Sequence, residues 1–117
     1  MEDFRQLKVW EKSHSFVLAI YKATEAFPRT EVFGLTNQIR RASVSIPSNI
    51  AEGCGRGSDQ DFARFLQIAM GSASEVEYQL LLAHDLRYLP SENYDPCSRD
   101  IVEIKRMLAA LISKVKN

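Results

Sequence analysis

Residues 35–56 read LTNQIRRASVSIPSNIAEGCGR, and the spacing inside this stretch decides the fold. Leu35, Ile39, Ala42, Ile46, Asn49 and Gly53 recur at steps of four and three, the period of one helix face. Pro47 falls one step off that stripe, where it removes a backbone hydrogen bond and crowds the carbonyl of Ser43. Two readings follow: a continuous helix kinked at Pro47 and running to about Cys54, or two short helices broken at Ser45. The kinked helix over 31–54 is the expectation, with Thr30 as its N-cap and the Ser43 and Ser45 hydroxyls available to freed backbone groups. The GCGRGS turn that follows lacks a preceding strand and a P-loop lysine, and Asp59 and Asp61 put negative charge just beyond it. Glycines ending one helix and turning into the next are the simpler account.

Working outward, Val9, Ser13, Phe16, Ile20, Ala23 and Phe27 mark a first helix over 7–27, stopped by Pro28. Ser58, with Asp61 three residues on, opens a third helix over 58–88 whose stripe runs through Phe62, Leu66, Ala69, Ala73, Val76, Leu80 and Ala83. The small residues Gly71 to Ser74 within it suggest a close helix approach there. Asp95 and Pro96 read as an N-cap and first helical residue, and Ile101, Ile104, Leu108, Leu111 and Val115 carry a fourth helix over 96–116. Four helices with short connections and no period-two pattern predict an all-α chain: one antiparallel up-and-down four-helix bundle over residues 1–117.

Composition narrows the function classes. Fifteen basic residues balance fifteen acidic ones, so nucleic acid or anionic lipid would have to be met by a local patch rather than a global field. The N-terminus has no secretory pattern and the longest apolar run, Phe16 to Tyr21, is far short of the roughly 20 residues of a membrane span. A cytoplasmic protein without a membrane partner is the default. Cys54 and Cys97 stand in no metal or redox spacing and are expected as reduced thiols.

Aligning the helices as an antiparallel bundle shows a belt without charge: Ser13 to Tyr21, Ala42 to Ala51, Phe65 to Ser74 and Met107 to Ser113. Surface helices normally keep charge on their outer faces, yet the face of helix two opposite its core stripe reads Arg40, Val44, Pro47, Ala51. At about 15 Å tall the belt is too short for a bilayer and fits a subunit contact. A homo-oligomer interface is therefore expected on helices two and three, with Val44, Pro47, Ala51, Phe65, Ile68 and Ser72 as its candidates.

Catalytic chemistry finds little footing. Glu11 and His14 form one Glu-x-x-His element where a di-iron bundle needs two, and His84 has Leu81 in the matching place. Neither histidine stands in a recognisable nucleophile context. No catalytic residue, metal site or cofactor is expected, and the chain is read as a non-enzyme. The candidate basic patch is Arg40, Arg41, Arg56, Arg64, Lys8 and Arg5, with the usual alternative that exposed arginines are solvated or paired with neighbouring carboxylates.

Three stretches, FRQLKVWEKSH (4–14), FPRTEVFGLTNQIRRASVSIPSNIAEGCGR (27–56) and FLQIAMGSASEVEYQLLLA (65–83), closely resemble the four-helix-bundle proteins encoded in intervening sequences of bacterial 23S ribosomal RNA genes. The resemblance spans most of the chain except the loop around 91–99, and IRRASVSIPSNIAEG is its most specific part. It implies an all-helical homopentamer with no known catalytic residues. The family is also similar to the accessory variability protein of diversity-generating retroelements, a basic pentamer that associates with nucleic acid and a reverse transcriptase. By that similarity Arg40, Arg41 and Arg56 are binding candidates, although this chain is electrically neutral. The expected function is a non-enzymatic oligomeric bundle binding RNA or DNA through these arginines; the alternative is a scaffold that binds a partner protein and has no nucleic-acid role.

Overall fold

A computed structural model describes residues 3–117. Four helices follow one another: α1 (Lys8–Thr24), α2 (Leu35–Cys54), α3 (Asp59–Asp85) and α4 (Ser91–Lys116), with short 3-10 turns at Phe4–Gln6 and Arg29–Glu31. Neighbours in sequence pack antiparallel, α4 returns beside α1, and the two diagonal pairs stay apart, which is an up-and-down bundle measuring 43 × 24 × 20 Å. The core is built from the sequence stripes: Phe16 and Ile20 of α1, Ile39, Ile46 and Ile50 of α2, Leu66 and Leu80 of α3, and Ile101, Ile104 and Leu108 of α4 are almost fully covered. No helix among the described residues is long and apolar enough to cross a membrane.

The helix carrying Pro47 is continuous, so the broken-helix alternative at Ser45 is set aside. The serine hydroxyls serve other groups than expected. Ser43 Oγ donates to the Arg40 carbonyl at 2.9 Å, while Ser45 Oγ pairs with Ser72 Oγ of α3 at 2.8 Å and accepts from Asn49 Nδ2 at 2.9 Å. Further along α2, Gly53 marks the closest approach to α3. A Cβ there would lie 2.9 Å from Phe62 Cδ1 and 3.0 Å from Phe65 Cβ, so only a hydrogen fits. Gly71, by contrast, meets nothing within 4 Å and is exposed. The close approach expected at Gly71 to Ser74 is made within that cluster by the buried Ala73 and by Ser72, which meets Ser45 of α2, while Gly71 itself takes no part.

Four helix ends differ from expectation by a turn or nearly so. α1 stops at Thr24 because the chain tightens there, with Phe27 N–H donating to the Thr24 carbonyl, and Phe27 turns inward against Tyr88 with ring centroids 5.7 Å apart. α2 begins at Leu35 rather than near 31, and Thr30 caps nothing: the Glu31 carboxylate accepts the Leu35 N–H at 3.0 Å and the Tyr88 hydroxyl at 3.0 Å. Gly34 lies between; a Cβ on it would come within 2.6 Å of Glu31 Oε1 and push the carboxylate off its donors. α4 starts at Ser91, with Pro96 inside it, because Asn93 and Tyr94 N–H groups already close a turn onto the Pro90 carbonyl at 3.0 and 2.8 Å. α3 ends at Asp85 rather than near 88, at a left-handed stop: Arg87 has φ 66°, and the Tyr88 and Leu89 N–H groups return to the Ala83 carbonyl. The Ser58 cap stands as expected, its hydroxyl accepting from Asp61 N–H at 3.1 Å. Cys54 and Cys97 are both buried and no disulfide joins them; burial, and then the nearby Asp100 charge, pushes the Cys97 thiol above its ordinary value.

Candidate subunit and nucleic-acid surfaces

The six candidate basic residues do not form one patch. Arg40 is spent inside the fold: its Nε donates to Thr24 Oγ1 at 2.8 Å, its terminal nitrogen donates to the Tyr21 carbonyl at 3.2 Å, and the guanidinium lies 4.6 Å from the centroid of the Tyr21 ring. It ties the end of α1 to α2 and offers little to a ligand. Arg41, one residue on, points outward into a polar groove between α2 and α3 lined with Asn37, Gln38, Ser45, Ser72 and Glu75, and makes no ion pair among the described residues. Behind this groove Gln79 is buried, donating from Nε2 to Glu75 at 3.2 Å while its Oε1 has no partner.

Fifteen residues further along, about 22 Å of helix rise, the turn between α2 and α3 gathers a second group. Arg56 pairs with Glu52 at 3.1 Å and Arg64 with Asp61 at 3.6 Å, and both guanidinium groups lie over the Phe65 ring, 5.0 and 4.6 Å from its centroid. These pairs are exposed, so each contributes little to stability. Arg5 pairs with Asp3 at 3.0 Å and lies 4.5 Å from the Phe4 ring centroid. Lys8 sits with Lys114 at the rim of an apolar recess formed by Leu7, Val9, Met107 and Leu111. The structure brings Arg56 and Arg64 together and separates both from Arg40 and Arg41.

The candidate interface residues divide as well. Val44 and Ile68 are 37% and 43% exposed, and Ala51 and Ser72 are half-buried. Pro47 and Phe65 are buried within the protomer, contrary to their expected place on an outer face: Pro47 sits on the side of α2 that turns toward α1, and Phe65 is held beneath Arg56 and Arg64 against Gly53. The belt itself is coherent over three helices, since Arg40 opposite Thr24 and Ser45 opposite Ser72 set the uncharged windows of α1, α2 and α3 level. That of α4 is displaced, Met107 and Leu111 lying level with Leu7 and Val9 below the α1 window.

Sequence reading passed over the exposed apolar side chains outside the stripes: Leu18 at 59%, Val32, Leu86 and above all Phe33 at 91%. Phe33 was placed inside helix two, and with α2 beginning only at Leu35 it becomes the tip of a turn. The signal was present in the break of period between Phe33 and Leu35. The turn is fastened from both sides, by the Glu31 contacts above and by Gly34 N–H donating to the Glu31 carbonyl at 2.9 Å. The Leu35 N–H, with the Tyr88 hydroxyl second, holds the Glu31 carboxyl below its usual range against a small opposing effect of burial; the same bond, with burial and the Glu31 charge, raises the Tyr88 phenol.

Histidine chemistry is occupied by packing. His14 stacks on Trp10 at 5.1 Å, and His84 stacks on Tyr94 at 4.3 Å with Nδ1 2.9 Å from the Leu89 carbonyl. Among the described residues no three His, Cys, Asp or Glu side chains converge as a metal site would need.

Among curated proteins none matches the chain. A crystal structure of a protein of unknown function from the S23 ribosomal protein family of Bacteroides thetaiotaomicron is similar to it, with 32% sequence identity and a TM-score of 0.82 over 90% of this chain and 95% of that one. The family described as 23S rRNA-intervening sequence protein matches residues 5–110, nearly the whole bundle. This chain belongs to that family of 23S rRNA-intervening sequence proteins.

Proposed function

We propose that the chain is a non-enzymatic, self-associating helical scaffold of the cytoplasm, assembling as the homopentamer that its family resemblance implies. The observation that carries this reading is the uncharged exterior shared by α1, α2 and α3, with Leu18, Tyr21, Val44 and Ile68 exposed at that level. Exposed apolar side chains gathered at one uncharged level mark association in a protein that remains in solution. The test is light scattering at micromolar concentration. The expected result is a multiple of the 13.3 kDa chain mass, lowered by Val44→Asp with Ile68→Asp; a wild-type mass of one chain sinks the reading.

A second reading, binding of RNA or DNA, is favoured by one observation, the pair of guanidinium groups of Arg56 and Arg64 over Phe65, with Arg41 outward on the same side of the bundle. Binding through them would weaken steeply as salt rises, because bound counterions are released. Labelled RNA titrated at low and moderate salt against wild type and an Arg56→Ala/Arg64→Ala variant tests it. The expected outcome is a reduced salt slope in the variant; equal binding by both excludes these arginines.

A further inference from the structure

Phe33 is a large apolar side chain left in water by a turn that does not move it elsewhere. Its ring is 91% exposed, and the residues on either side are fastened by hydrogen bonds from Gly34 N–H, Leu35 N–H and Tyr88 Oη to Glu31. Val32, half-exposed beside it, widens the projection. A rigid aromatic presented this way is the usual anchor of a protein contact, provided that a pocket exists to receive it.

Such a pocket lies at the same end of the same molecule. Between the end of α1 and the start of α4 the bundle opens into a hollow of about 560 Å³, with an apolar lining of Ala19, Ala23, Ala26, Leu89, Pro90 and Pro96. α1 and α4 make the slimmest of the four helix contacts, and the side chains between them are too short to fill the space. Tyr88 belongs to both features, lining the hollow and bonding Glu31 under the projection, which places the two at one level.

Charge runs the same way. Arg29, in the turn with Phe33, makes no ion pair among the described residues, and the rim of the hollow carries Glu25 and Glu92 with Lys22, all equally without ion pairs there. From these observations we infer that Phe33 of one copy seats in the α1–α4 hollow of the next, with Arg29 meeting the Glu25 and Glu92 rim. This contact joins different surfaces of the two copies, a head-to-tail arrangement of the kind that builds rings where its rotation closes. The inference rests on the self-association proposed above and adds to its Val44 and Ile68 surface a second contact between copies.

The experiment measures mass by light scattering for wild type, Phe33→Ala, Phe33→Trp and Ala19→Glu, with circular dichroism melts of each. Phe33 and Ala19 are both exposed in the protomer, so every variant should keep the helical circular dichroism of wild type, and one that loses assembly should melt somewhat lower because association stabilises the fold. The expected result is an assembled wild type and Phe33→Trp, and masses below wild type for Phe33→Ala and Ala19→Glu. Wild-type mass in either of the last two overturns the inference while leaving self-association through Val44 and Ile68 standing. A single-chain wild type overturns both.

Discussion

The α2–α3 seam and the α1–α4 seam are both lined with small residues, yet the first is the tightest contact in the bundle and the second leaves a hollow. In the first, Gly53 opposes Phe62 and Phe65, so a missing side chain on one helix is filled by a large one on the other. Ser45 and Ser72 then join the helices by a hydrogen bond at the level where no ring intervenes. In the second, Ala19, Ala23 and Ala26 face Pro96 and Cys97, and nothing long reaches across. Small residues bring helices together only where the partner supplies the missing volume; opposite other small residues they leave room for something from outside.

The largest effect that separates the seams is a branched side chain added to each. Gly53→Val is expected to cost about 2–3 kcal/mol, because its methyl groups would collide with packed rings, whereas Ala19→Val on the rim of the hollow should stay within about 0.5 kcal/mol of wild type. Urea unfolding of the two variants decides this, and equal midpoints would mean that the seams do not differ as described. A smaller effect of opposite sign belongs to Gly71, which sits in neither seam. Gly71→Ala should raise stability by about 1 kcal/mol through helix propensity alone; a lower melting temperature would show that α3 is approached there after all.

The smallest effect concerns the turn that fastens both loops beside the hollow. The Glu31 carboxyl titrates below its ordinary value near 4.5, so its contribution is complete above that pH and is lost as pH falls through the lower folded value. Tyr88 titrates above its ordinary value of 10.0, so the same link also lapses as pH rises through the higher folded value. Glu31→Gln should therefore unfold at lower urea than wild type at pH 7, with the gap closing below about pH 4.5. A gap that persists unchanged to pH 3 would assign the difference to shape rather than charge.

The helical stripes were legible because a buried face repeats at every turn: the positions read from Val9 to Ile20 in α1 and from Phe62 to Ala83 in α3 are the ones that the bundle covers. Helix starts were less so. Thr30 and Asp95 carry good capping chemistry, but the turns that actually form depend on Tyr88, 57 residues beyond Glu31, and on the Pro90 carbonyl. The arginines were hardest, since a sequence displays charge without its partner. Nothing local says that Arg40 reaches Thr24 sixteen residues earlier while Arg41 faces out. Phe33 was hidden by the same error that misplaced the start of α2, as one turn of helix assigned too early turns a surface projection into a helix residue.

The two cysteines give the molecule a reporter at each end. Cys54 closes α2 beside the α2–α3 turn, and Cys97 lies in the second turn of α4 at the floor of the hollow, both out of solvent. A thiol-reactive dye can reach either one only when its end of the bundle opens, so labelling rates of single-cysteine variants measure local opening at opposite poles. While that end stays closed, burial also disfavours the Cys97 thiolate, which adds to its protection. A neighbour's aromatic ring seated above it would slow that pole further as protein concentration rises and leave the other pole's rate unchanged.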